Sequence, residues 1–220
     1  MSVPAVVARG VRKVYLFNVA LDNVDYEVDG GGIHIIMGPN GSGKSTLLSI
    51  IAGAERPSSG YVKVLGLDPW RDSEKLAGKV KALLDRASLP PWASCREVAE
   101  ITARTSRTPW SDVLETAEAL GVTSFWGRPY GTYSTGMKRK ALLLTALIGD
   151  PEILLLDEPY QGLDSGSVET LTKIIIERAT KGQTIIIATH ITPEKLVENA
   201  RTIAKMELGR IVELRKQPIT

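Results

Sequence analysis

The sequence predicts an α/β fold: a mainly parallel sheet, a small N-terminal antiparallel β subdomain and an α-helical subdomain inserted in the middle. Three observations predict it. Continuous apolar runs alternate with helix-like segments, as strands covered on both faces do. "GYVKVLG" alternates instead, the pattern of a strand with one wet face, and the segments around Val6 and Val24 to Val28 can join it. From about Arg86 to Tyr133 there is no convincing strand, only two amphipathic helices.

Taken in order, "GGIHIIMG" reads as a short buried strand and "STLLSIIAG" as a helix stopped by Gly53. The insertion opens at "SCRE", where Ser94 and Glu97 have capping-box spacing. Its second helix, "SDVLETAEALG", turns Val113, Leu114, Ala117 and Leu120 to one side and ends at Gly121. Pro90, Pro91 and Trp92 mark the entry to the insertion and "GRPYGTY" its exit. Three further apolar strands follow, "EILLLD", "TIIIAT" and "RTIAKMEL", the last turning through Gly209 into "RIVEL". Between them Ser165 is the expected N-cap of a helix ended by Gly182, and Thr192 and Pro193 the cap and first turn of a shorter one. The predicted division is residues 1–85 and 134–220 for the α/β core and 86–133 for the helical subdomain.

The totals narrow the function classes. With 220 residues, 43% hydrophobic, the chain can bury one sizeable core. Its apolar runs fall short of the roughly 18 residues a bilayer span needs, and the N-terminus lacks the pattern of a signal peptide. A cytosolic location is the expectation. Cys95 is the single cysteine, which excludes an internal disulfide and a multi-cysteine metal site. A net charge of +2 is too small to argue for nucleic acid as a partner.

"GPNGSGKST" carries the chemistry. Gly38, Pro39, Asn40, Gly41, Ser42, Gly43, Lys44, Ser45 and Thr46 match G-x-x-x-x-G-K-[ST] between a strand and a helix, so the core is that of a P-loop NTPase, RecA-like in arrangement. The glycines let backbone amides and a helix N-terminus wrap phosphate. Lys44 would reach the β- and γ-phosphates and Ser45 would offer its hydroxyl to Mg2+. "ILLLDEP" puts Asp157 at the carboxyl end of a buried strand, where it can hold the metal, with Glu158 beside it as general base. His190 closes "TIIIATH" at the same edge and is read as facing a γ-phosphate, whereas His34, inside a strand, is read as structural.

With these motifs in this order, "YSTGMKRK" becomes legible. The chain resembles, nearly end to end, the ATP-binding subunit of an ABC transporter. Tyr133, Ser134, Thr135, Gly136 and Met137 stand where that family has a signature close to L-S-G-G-Q. Ser134 as N-cap and free amides on Thr135, Gly136 and Met137 would make a second anion-binding helix start. The resemblance implies that this element closes on the nucleotide of a second subunit, a second copy or a paralogue, so that two ATP lie between head-to-tail partners. It also implies Tyr15 stacked on adenine, Asp164 in a D-loop at the subunit interface, and Asp85 at the Q-loop. Asp85 departs from the usual Gln, and a solvated loop acid is an equal reading of it. Thr135 and Met137 depart from Gly and Gln, variants that lean toward export-type members. Lys138 to Lys140 read as a solvated helix face.

The expected function is therefore ATP hydrolysis driving transport through a separate membrane permease. The chain would be peripheral on the inner face of the membrane and would dock the permease through the inserted helices near Pro90 to Trp92. A soluble ABC-type ATPase of iron–sulfur assembly and a weakly hydrolysing regulatory module are the alternatives. Trp92, Trp110 and Trp126 suit either an interface or core packing.

Overall fold

The computed structural model describes residues 4–217. In chain order the strands are β1 (Val6–Tyr15), β2 (Asn18–Val28), β3 (Gly32–Met37), β4 (Ser59–Val64), β5 (Val80–Leu83), β6 (Ile153–Asp157), β7 (Thr184–Thr189), β8 (Ala200–Glu207) and β9 (Arg210–Lys216). The helices are α1 (Lys44–Ile51), α2 (Ser73–Leu76), α3 (Cys95–Ser106), α4 (Trp110–Ala119), α5 (Thr135–Leu147), α6 (Ser165–Thr180) and α7 (Glu194–Glu198).

Two sheets result. The antiparallel one has the order β2-β1-β4, and the larger has the order β5-β6-β7-β3-β8-β9. All pairs in the larger sheet are parallel except β8 with β9. Side-chain alternation splits its strands between two cores. Leu154, Leu156, Ile185, Ile187, Ile33 and Ile35 face α3 to α6. Ile153, Leu155, Ile186, Ala188 and Ile36 face α1 and the antiparallel sheet. The central strands β3, β6 and β7 are covered on both faces, which is why their sequences are mostly apolar.

The inserted helices obey local rules. Ser94 Oγ accepts from the Glu97 amide while Glu97 accepts from the Ser94 amide, so the capping box is complete. Trp110 and Trp126 stack 5.8 Å apart and pack against the core below, but Trp92 is 79% exposed.

Several local expectations need correction. Strand β5, "VKAL", pairs in parallel with β6 although only its last residue is buried. Asp164, not Ser165, caps α6, accepting from the Ser167 amide at 2.8 Å. An aspartate and a serine in succession offer two caps, and the carboxylate binds the amide more strongly. Pro193 holds the cap position of α7, which begins one residue later than Thr192 and Pro193 suggest.

His34 has the structural place expected of it. Nδ1 lies 2.9 Å from Thr202 Oγ1 and Nε2 lies 3.2 Å from Gly31 O. Burial holds the imidazolium down to about 4 from its ordinary 6.5, with Arg201 pushing the same way and Asp29 and the Gly31 carbonyl opposing. Because the folded form resists the proton, its stabilising contribution is complete above pH 6.5 and falls away as the pH drops toward 4. We expect unfolding free energy to decline by about 3 kcal/mol across that window from this residue alone. In His34→Gln that part of the slope disappears, as urea titrations between pH 4 and 7 can measure; an unaltered slope removes the assignment.

Candidate functional site

The topology brings the sequence motifs to one edge. Strand β7 lies between β3 and β6, so the loops leaving their carboxyl ends converge. Met37 is opposite Thr189 and Asp157 opposite Ala188.

The loop after β3 is shaped by contact. A Cβ on Gly38 would lie 2.3 Å from the Met206 carbonyl, and one on Gly43, at φ +101°, would lie 2.6 Å from the Ala20 carbonyl. Neither position admits a side chain. No side chain caps α1, whose first backbone bond runs from the Leu47 amide to Gly43 O at 2.9 Å. The amides before it are left pointing toward the loop, a receptor for anions.

Lys44 is 4% exposed. Its Nζ donates to Gly38 O at 2.8 Å and Pro39 O at 3.1 Å and lies 3.5 Å from Glu158 Oε1. The other carboxylate oxygen of Glu158 is 2.8 Å from His190 Nδ1 and 3.1 Å from Thr189 Oγ1, and it accepts from the His190 amide at 3.3 Å. Glu158 thus joins both histidine and lysine. Its backbone is left-handed, φ +46°, with the amide donating to Ala188 O at 2.7 Å. A conformation of that kind costs on the order of 1–3 kcal/mol in a non-glycine residue.

Asp157 is fully buried. Ser45 Oγ donates to its Oδ1 at 3.0 Å, while Oδ2 is buried without a partner. Burial raises the Asp157 pKa, and the nearby charges of Asp85 and Glu158 raise it further, against the Ser45 bond. An orphaned carboxylate oxygen beside a hydroxyl, both hard donors, fits Mg2+. Among the described residues no three His, Cys, Asp or Glu side chains gather to hold a metal by themselves. Phosphate oxygens would have to complete the shell, as is usual for magnesium.

A cavity of about 440 Å³ gathers Tyr15, Asn40, Gly41, Gly43, Lys44, Ser45, Thr46, Asp85, Glu158 and His190. Gln161, which opens the "QGLD" D-loop segment and to which the motifs assign no role of its own, joins them. Tyr15 is partly exposed, with its hydroxyl on Glu55 and Lys13 Nζ 4.9 Å from the ring centre. Asp85 is exposed at the rim. Ser134, Thr135, Gly136 and Met137 do not line this cavity.

Those four residues open α5. Ser134 Oγ accepts from the Met137 amide at 3.3 Å, so that amide is not free as expected, and Thr135 and Gly136 are the ones left for a ligand. At the far end Lys81 donates to the carbonyls of Thr145 and Ile148, and Arg178 to those of Leu147 and Gly149. Two cations quench the negative end of the helix dipole and leave the positive end unopposed. Lys138 to Lys140 are not a solvated face. Arg139 donates to the Asp157 and Glu158 carbonyls, Lys140 pairs with Asp164 at 2.9 Å, and Lys138 lies over the Tyr130 ring.

Comparison with known proteins adds the family. Residues 21–161 match the family model described as ABC transporter. The chain belongs to the ABC transporter family. It is an ATP-binding cassette with ATPase activity, the subunit type that powers transport. The sulfate/thiosulfate import ATP-binding protein CysA of Mycolicibacterium paratuberculosis is 32% identical over 96% of this ABC subunit, which spans 59% of that protein's length. The lantibiotic transport ATP-binding protein SrtF of Streptococcus pyogenes is 29% identical over 84% of the chain and 80% of its own length. In fold, the dimeric structure of MJ0796, a bacterial ABC transporter cassette, superposes with a TM-score of 0.82 at 23% identity, over 98% of this chain and all of the other. No helix among the described residues of the ABC subunit is long and apolar enough to cross a membrane.

Proposed function

We propose that this subunit binds Mg–ATP between two head-to-tail copies or paralogues and hydrolyses it to drive a separate membrane permease. The observation that carries the reading is the composition of the cavity. It gathers the P-loop, Asp85, Glu158 and His190 but none of Ser134 to Met137, whose helix start has an anion-binding character of its own. A second subunit is the natural source of what the cavity lacks.

In this mechanism the P-loop amides and Lys44 hold the phosphates, and Tyr15 stacks on the base. Glu158 takes a proton from water as the water oxygen bonds to the γ-phosphorus, and the bond to the β-phosphate oxygen breaks to leave ADP. His190 and Thr189 aim the carboxylate. Thr135 and Gly136 amides from the partner meet the charge that develops on the γ-phosphoryl group. Ser45 and Asp157 would hold Mg2+, which when bound neutralises phosphate charge. Asp164 stands at the subunit boundary.

Residues 1–85 and 134–220 act as the nucleotide-binding core and 86–133 as the docking subdomain, placing the subunit on the inner face of the membrane. Both an importer and a lantibiotic transporter are among the relatives. We take export as the direction, on the departures at Thr135, Met137 and Asp85. A cognate permease that works with an external solute-binding protein would overturn that choice.

The exposed Trp92 gives the test of docking. In detergent-solubilised native membranes the subunit should co-purify with an integral membrane protein, and Trp92→Asp should lose it while binding ATP normally. Recovery of soluble partners alone would remove the transporter role.

A further inference from the structure

We propose that Arg139 is a positioning residue that locks the signature helix to the Glu158 peptide of its own chain, so that the two half-sites carried by one subunit move as one body. The inference rests on the reading of Glu158 as the base and of α5 as the element that engages the partner's nucleotide. Arg139 stands in the second turn of α5, within reach of both.

Its Nη2 donates to Asp157 O at 2.6 Å and also to Glu158 O. These are the carbonyls on either side of the left-handed Glu158 residue, whose amide is already fixed on Ala188 O at 2.7 Å. Every backbone polar group around the base is therefore held, and a cation holds two of them. The hydrogen bonds are charge-assisted, and the half-buried guanidinium excludes competing water. Two neighbouring contacts run the same way. Lys140 pairs with Asp164, and Gly136 packs so near the Gly162 carbonyl that an added Cβ would lie 3.3 Å from it. A displacement of α5 toward a phosphate on the partner must pull on the peptide that presents Glu158. Occupancy of one nucleotide site would then be felt at the base of the other.

The test compares Arg139→Gln, Arg139→Lys and Glu158→Gln in the assembled transporter. Arg139→Gln, too short to span both carbonyls, should lower kcat about tenfold with KM for ATP nearly unchanged, the mark of an interaction used in the transition state. Cooperativity in ATP should fall, with the Hill coefficient dropping from about 2 toward 1. Arg139→Lys, which keeps the charge, should recover most of kcat. If Arg139→Gln does not fold, a smaller loss of kcat at fixed KM in Arg139→Lys carries the same result. An unchanged kcat and Hill coefficient, or a loss that merely tracks melting temperature and nucleotide binding, overturns the proposal. Turnover abolished in Glu158→Gln but untouched in Arg139→Gln overturns this inference alone; turnover surviving in Glu158→Gln overturns the assignment of the base, and this inference with it.

Discussion

Glu158→Gln should bind ATP as well as the parent protein, turn over about 10²–10⁴-fold more slowly, and accumulate as a nucleotide-bound dimer. The geometry explains the separation of effects. The carboxylate is held 2.8 Å from His190 and 3.5 Å from Lys44, and an amide of the same shape can keep the first contact and lose little of the second. What it cannot do is accept a proton from water. Closure depends on the γ-phosphate, which persists when hydrolysis stops, so the closed form should build up. Phosphate release and light scattering with Mg–ATP measure both effects. Unimpaired phosphate release would take Glu158 out of its role, and a preparation that stays monomeric would take away the shared site.

Lys44→Ala acts earlier. Its ammonium is buried and bonded to two loop carbonyls, Gly38 O and Pro39 O, which shape the loop before any nucleotide arrives. Removal deprives the phosphates of their fixed cation and takes the Lys44 donor from Gly38 O, whereas Pro39 O keeps the Ser42 amide at 3.2 Å. Charged hydrogen bonds contribute about 1.5–3 kcal/mol, so ATP affinity should fall about 10–100-fold, with turnover below detection. Titration with a fluorescent nucleotide gives the affinity, and a thermal melt confirms that the chain is folded. Unchanged affinity would mean that backbone amides alone carry the phosphates. Glu158→Gln, by contrast, retains binding, so the pair separates holding the nucleotide from cleaving it.

The sequence was a good guide wherever one local rule acted alone. Strands such as Ile153–Asp157 and Thr184–Thr189 are buried at every position because both faces are covered, and their apolar runs have few alternative readings. The capping box at Ser94 likewise needs only four consecutive residues. Strand β5 hid because its lysine and half-exposed residues earn their place from pairing with β6, a partner far away in the chain. Arg139 hid for a related reason. A run of three cations usually faces water, and nothing in "KRK" reveals that two carbonyls will lie within its reach. The cap at Asp164 was missed by a single residue because two adjacent side chains could each serve. Signals that depend on distant segments are the ones a linear reading loses.

The place of β3 between β7 and β8 has a bearing on biosynthesis. The strand that bears the phosphate loop, Gly32–Met37, leaves the ribosome well before both of its hydrogen-bonded neighbours, Thr184–Thr189 and Ala200–Glu207. A stalled or prematurely terminated product ending before Thr184 would carry the whole "GPNGSGKST" motif with no sheet to seat it. Such fragments should neither sequester cellular ATP nor compete with finished subunits for their mate, because competence arrives only once β7 and β8 have been made.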